Sequence, residues 1–126
     1  AVMEGVPFAL RQALEVSLSL SPTPVTQIIA AGGGAESTLW RGIQTDVFNL
    51  PLQKSLLTEQ TGIGAAMLAG IGTGVYSGFD EAVAAVAHYD EPTIPRSENR
   101  VRYDDLYQHF TELYPRLRDD FHRLVR

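Results

Sequence analysis

The chain has 126 residues, 44% of them hydrophobic, which is enough to bury one core and too few for two sizeable ones. Its formal charge of -5 comes from 15 acidic and 10 basic residues with no block of like charge, which argues against a nucleic-acid surface or a polybasic membrane anchor. The absence of cysteine removes disulfides, thiolate chemistry and the common zinc sites and fits a reducing, cytoplasmic setting, and no apolar run has the length of a membrane span.

The pattern along the chain predicts an α/β fold. Val6, Leu10, Ala13, Leu14 and Leu18 lie on one stripe at helical spacing, with no capping Ser, Thr, Asp or Asn ahead of them. The helix reads as cut open at its start. With no methionine at position 1 and no basic stretch leading into a hydrophobic signal core, the chain is expected to be a piece of a longer polypeptide. Pro7 fits the first helical turn, where its missing N–H is harmless, or a kink in a longer parent helix. SPTP (21–24) ends this helix, and VTQIIAA (25–31) reads as a short buried strand.

From Ser37 a helical pattern runs through Leu39, Trp40, Ile43, Val47 and Phe48, and NLPLQK (49–54) predicts a turn and a second strand near Leu52. Together these form a β-α-β unit with parallel strands and a right-handed crossover. In TGIGAAMLAGIGTGVY (61–76), Ala65, Ala66, Ala69, Gly70 and Gly74 predict a helix that approaches another backbone closely, with packing offsetting its low propensity. DEAVAAVAHY (80–89) gives another short helix, and residues 90–99, with Pro92 and Pro95, read as a surface connection. Tyr103, Leu106, Phe110, Leu113, Leu117, Phe121 and Leu124 mark a long amphipathic helix, kinked or interrupted at Pro115.

Three glycines, Gly32, Gly33 and Gly34, stand where the first strand meets the second helix. Such a run lets the backbone turn sharply and lets a ligand reach its amides without an intervening side chain. A nucleotide suits it, although close packing alone would also use glycine there. Ser37 can cap the helix or hydrogen-bond a ligand. Neither a P-loop nor a dinucleotide fingerprint is present, because GGGAES lacks both spacings. His88, His109 and His122 are scattered without ligand-like spacing, so no metal site is predicted. Asp104 and Asp105 complement the dipole at the start of the last helix, while Asp119 and Asp120 read as solvated. Arg116, Arg118, Arg123 and Arg126 suit the carboxy terminus of that helix.

EGVPFALRQALE (4–15), GGGAESTLWRGIQTDVFNLPL (32–52) and EQTGIGAAMLAGIGTGVY (59–76), in this order and spacing, resemble the carboxy-terminal part of the FGGY carbohydrate kinases. YDDLYQHFTELYPRLRDDF (103–121) is similar to the family's closing helix, so the resemblance covers essentially the whole chain. It is strongest to the members that phosphorylate xylulose. The sequence departs from the family at Gly42, where glutamine is common, and at Thr61 and Gly62, where alanines are frequent.

The resemblance implies one partial domain, residues 1–126, of an actin-like (ribonuclease H-like) ATPase fold, with a short parallel β-α-β unit surrounded by helices. It implies transfer of phosphate from ATP to a sugar hydroxyl, with Mg2+ as the accompanying ion. Gly33 and Gly34 would lie against the nucleotide, Gly32 would shape the turn, and Ser37 would contact the adenine region. Trp40 is expected to be a core anchor rather than a stacking partner for the base, and Glu59 is expected to be structural. The family draws its catalytic aspartate, phosphate loops and sugar pocket mainly from an amino-terminal domain, so no catalytic residue is assigned to this chain. The expected partners are ATP or ADP, a sugar held by that other domain, and a second copy of the chain where helices lack a partner.

Overall fold

The computed structural model describes residues 2–20, 22–57 and 59–124. The described elements run α1 (Val2–Leu20), β1 (Ile28–Ala30), α2 (Thr38–Phe48), β2 (Leu52–Lys54), α3 (Gln60–Gly72), α4 (Phe79–Val86) and α5 (Ser97–Leu124). A 3-10 turn, Gly33–Glu36, lies between β1 and α2. β1 and β2 are parallel, with Ile28 opposite Leu52 and Ala30 opposite Lys54, so the predicted β-α-β unit is present with α2 as its crossover.

The first strand is shorter than predicted and is not buried: Ile29 is 40% exposed. β2 is the inner strand, because the segment after α4 runs along its other edge through bridges from Thr93 to Leu52 and from Tyr89 to Ser55. Residues 90–99, read as a surface connection, are largely exposed and lead from α4 into α5, which already begins at Ser97, but they also dock on β2. The backbone polar groups of β2 need partners on both sides once Leu52 is buried, and the Thr93 amide and carbonyl supply two of them at 2.8 and 3.0 Å.

The core lies where α1, α2 and α5 meet. Phe8, Val47, Tyr103 and Tyr107 are buried there, with Ile43, Phe48, Leu106 and Phe110 packed around them. The Phe8 ring stands 5.5–6.2 Å from the rings of Tyr103, Tyr107 and Phe110, an arrangement that adds edge and tilted ring contacts to plain burial. The α1 stripe of the sequence reading is displaced. The buried residues of α1 are Pro7 and Phe8, whereas Val6 and Leu10 stay largely exposed, because the face turned to α5 also carries Glu4, Arg11 and Glu15. Arg11 sits 4.1 Å from the centre of the Tyr107 ring and 2.8 Å from Asp104, and Glu15 accepts the Tyr107 hydroxyl at 2.6 Å. Burial and the Glu15 carboxylate push the Tyr107 hydroxyl up to about 12.

Both helix prolines fall inside continuous helices. α1 already begins at Val2, which places Pro7 beyond the first turn, and α5 continues through Pro115 without interruption. Each removes one hydrogen bond from a ladder that closes again on either side.

Asp46 is the buried carboxylate of α2. It accepts hydrogen bonds from the Arg96 amide at 2.8 Å, Arg96 Nε at 3.0 Å, Arg96 Nη2 at 2.6 Å and Asn99 Nδ2 at 2.7 Å, which locks α2 to the start of α5. Burial pushes this carboxyl up, but the Arg96 side chain and amide and the Asn99 amide outweigh that effect and hold it below the usual carboxylate range.

α3 packs with α4 and buries none of its residues. The close neighbour at Gly70 is a side chain and not the predicted backbone: a Cβ there would stand 2.8 Å from the Tyr76 ring. Gly74 lies beyond the helix end, at φ 77, where it turns the chain in the left-handed region.

Candidate functional site

The glycine run is built by the exit from β1. Gly32 sits at φ 81 and ψ -178, a conformation that a side chain strongly disfavours, and this turns the chain out of the strand. The 3-10 turn that follows is closed by the Ala35 amide, which donates to the Gly32 carbonyl at 3.0 Å. Among the described residues, no group accepts from the amides of Gly33 or Gly34. A Cβ on Gly32 or Gly33 would meet nothing within 4 Å, so these two positions face open space, whereas one on Gly34 would stand 3.8 Å from the Trp40 indole nitrogen.

Ser37 follows directly and caps α2, its Oγ accepting from the Trp40 amide at 3.2 Å. Of the two uses predicted for Ser37, the structure shows the cap. The structure therefore brings Gly32, Gly33, Gly34 and Ser37 together at one end of β1 and at the amino end of α2.

Two cavities flank the run. One, of about 350 Å3, is apolar and is walled by Leu10, Leu14, Ile28, Gly34, Trp40 and Phe48. Trp40 is half-buried on this wall and stands outside the buried core cluster, which corrects its expected role as a core anchor. The physical reason is its position: as the third residue of α2 it lies beside the glycine turn, away from the Val47 end that meets α1 and α5. The other cavity, of about 290 Å3, is more polar and is walled by Gly32, Gly33, Glu36, Lys54, Ser55 and Gln60. Lys54 Nζ and Glu36 Oε2 pair at 2.6 Å on its wall. The sequence reading singled out neither residue. The one available signal was that Lys54 ends the strand paired in register with the residues leading into the glycines.

Among the described residues, no three His, Asp or Glu side chains are grouped so as to hold a metal ion. Asp119 and Asp120 pair at the surface with Arg118 and Arg123. No described helix is long and apolar enough to cross a membrane.

The order of these elements, with the glycine turn between β1 and α2, is that of a known domain. A profile of the FGGY family of carbohydrate kinases, C-terminal domain, matches residues 1–73, from α1 through the glycine run and α3. The chain belongs to the FGGY family of carbohydrate kinases. Its sequence is 30% identical to the xylulose kinase of Lactococcus lactis, over 99% of this chain and 25% of that protein. Its structure superposes on a xylulose kinase from Rhodospirillum rubrum with a TM-score of 0.84 and 32% identity, covering 97% of this chain and 25% of that one. A gluconate kinase from Lactobacillus acidophilus matches with a TM-score of 0.85 and 25% identity, covering 93% and 23%. The chain thus spans about a quarter of the length of the FGGY kinases it matches. Its short parallel sheet and surrounding helices are a portion of their actin-like ATPase fold.

Proposed function

We propose that this chain is the nucleotide-binding portion of an ATP-dependent sugar kinase acting on D-xylulose, with D-xylulose 5-phosphate and ADP as products. The observation that carries the reading is the glycine turn, where Gly32 and Gly33 border open space and the amides of Gly33 and Gly34 have no acceptor among the described residues, beside a capped helix terminus. Gly32 shapes the turn, Gly33 and Gly34 lie against the nucleotide, and Ser37 borders the adenine region while capping α2. Xylulose is favoured by the names of the similar kinases from Lactococcus lactis and Rhodospirillum rubrum. The gluconate kinase match favours a second reading, in which the acceptor is another sugar or polyol of the same class.

Phosphoryl transfer needs a group to orient the attacking hydroxyl and charges to stabilise the moving phosphoryl. Beside the glycine turn the charged side chains on the cavity wall, Lys54 and Glu36, are paired with each other, and among the described residues no three His, Asp or Glu side chains gather to hold a magnesium ion, so no catalytic step is assigned to them. In this reading the catalytic aspartate, the Mg2+ site and the sugar pocket belong to another domain of a longer, cytoplasmic parent. The 126-residue chain alone binds ADP weakly and turns over no sugar. As an isolated module it also tends to self-associate through apolar faces such as that of α3, which buries none of its residues. Calorimetric titration with ADP, alongside a coupled ADP-release assay with xylulose, tests the proposal. Saturable millimolar binding without turnover is expected. No heat with ADP, or turnover by the chain alone, contradicts it.

A further inference from the structure

The side chain of Arg41, from the first turn of α2, reaches back to the glycine turn. Nη1 donates to the carbonyl of Ala35 and, at 3.4 Å, to that of Glu36, the last two residues of the 3-10 turn. Nη2 lies 3.5 Å from Asp90 Oδ2, and only 11% of the Arg41 side chain is exposed. Asp90 is itself fixed on β2. Its Oδ1 accepts from the Lys54 amide at 2.7 Å, its own amide donates to the Lys54 carbonyl at 3.0 Å, and its carbonyl accepts from Gln53 Nε2 at 3.0 Å. One guanidinium therefore joins the turn, α2 and the segment docked on β2. A planar fork that is always charged can serve two carbonyls and a carboxylate at once, which an ammonium on a flexible stem does poorly.

The carbonyls that Arg41 engages lie at the end of the turn opposite the unengaged amides of Gly33 and Gly34. Holding that end fixes the direction in which the amides point, and the positive charge offsets the carbonyl dipoles that gather there. We infer that Arg41, clamped by Asp90, is a positioning residue that fixes the glycine turn in the conformation presenting its amides to the nucleotide's polar groups. This inference rests on the nucleotide reading above. It adds a residue of α2 and a residue beyond α4 to a site otherwise confined to the glycine motif.

The test compares the unsubstituted 126-residue chain with Arg41→Met, Arg41→Lys and Asp90→Asn, reading amide hydrogen exchange without ligand and ADP affinity by titration. Loss of charge-assisted hydrogen bonds at one end of the turn predicts about 10-fold faster exchange at the Ala35 amide, which closes the turn onto the Gly32 carbonyl, and about 10-fold weaker ADP binding in Arg41→Met. Exchange in the α1 and α5 amides around Phe8 and Tyr107 stays as it was. Arg41→Lys recovers part of the affinity, and Asp90→Asn moves both readouts in the same direction by less. Unchanged exchange in the turn overturns the assignment, and so does acceleration spread evenly over the whole chain. Should Arg41→Met fail to fold, Arg41→Lys and Asp90→Asn are judged by the same criteria. An unsubstituted chain that binds no ADP overturns the nucleotide reading, whereas the exchange data judge Arg41 separately, so the two failures are told apart.

Discussion

α2 and α3 differ in the direction opposite to what their compositions suggest. α2 carries Arg41 and Asp46 and buries Thr45, Asp46 and Val47, while α3 has no charged residue and buries none. Apolar residues circle α3, so no single face is selected for a core, and its main described neighbour is the short helix α4. In α2 the apolar residues share one side, and its charged groups are tied to other elements: Asp46 to Arg96 and Asn99, and Arg41 to the glycine turn and Asp90. What distinguishes the anchored region is the one-sided arrangement of apolar residues together with satisfied polar links; apolar content alone does not mark it.

This contrast can be broken most forcefully at Phe8. Phe8→Ala removes the ring at the centre of the aromatic cluster and should destabilise the chain by about 3 kcal/mol, whereas Leu68→Ala on α3, where the residue is 60% exposed, should stay within about 0.5 kcal/mol. Urea unfolding of the two variants measures both, and comparable losses would mean that α3 carries a core of its own.

Next in size is the Asp46 lock. Asp46→Ala leaves the Asn99 amide and the Arg96 donors without their acceptor and should cost about 2 kcal/mol, less than a fully buried pair would because the Arg96 side chain remains half open to water. The same carboxyl gives a pH signature. Its folded value lies below the ordinary 3.8, so its contribution is complete above that value and is lost as pH falls through the lower folded value. Melting temperature followed below pH 4 should therefore fall less steeply in Asp46→Asn than in the unsubstituted chain. Parallel slopes would remove Asp46 as the titrating anchor.

The smallest effect sharpens the account of α3. Gly74→Ala places a side chain in the left-handed turn that ends the helix and should cost about 1 kcal/mol. Hydrogen exchange should show the change confined to α3 and α4, with the Phe8 cluster unaffected.

The sequence reading recovered what depends on local chemistry. The β-α-β unit, the Ser37 cap and the glycine exit from β1 follow from β-branched runs, capping preference and glycine conformation, and each is present. It misjudged what depends on distant partners. The segment around Asp90 looks like a proline-flanked loop because nothing local announces that Thr93 will pair with Leu52 or that Asp90 will meet Arg41. Trp40 looks like core because large aromatic residues usually bury, yet its place beside the glycine turn puts it on a cavity wall. The Asp46 lock spans 50 residues to Arg96, and nothing local to a lone aspartate in a helical pattern announces that partner.

The central claim is that the triple glycine is a nucleotide cradle, and the most direct measurement is the backbone amide spectrum of the chain titrated with ADP. The account predicts saturable shifts centred on Gly32, Gly33, Gly34 and Ser37, with smaller ones at Trp40 and Lys54 and none in the distal half of α5. A well-dispersed spectrum in which millimolar ADP moves none of the glycine-turn amides would contradict it.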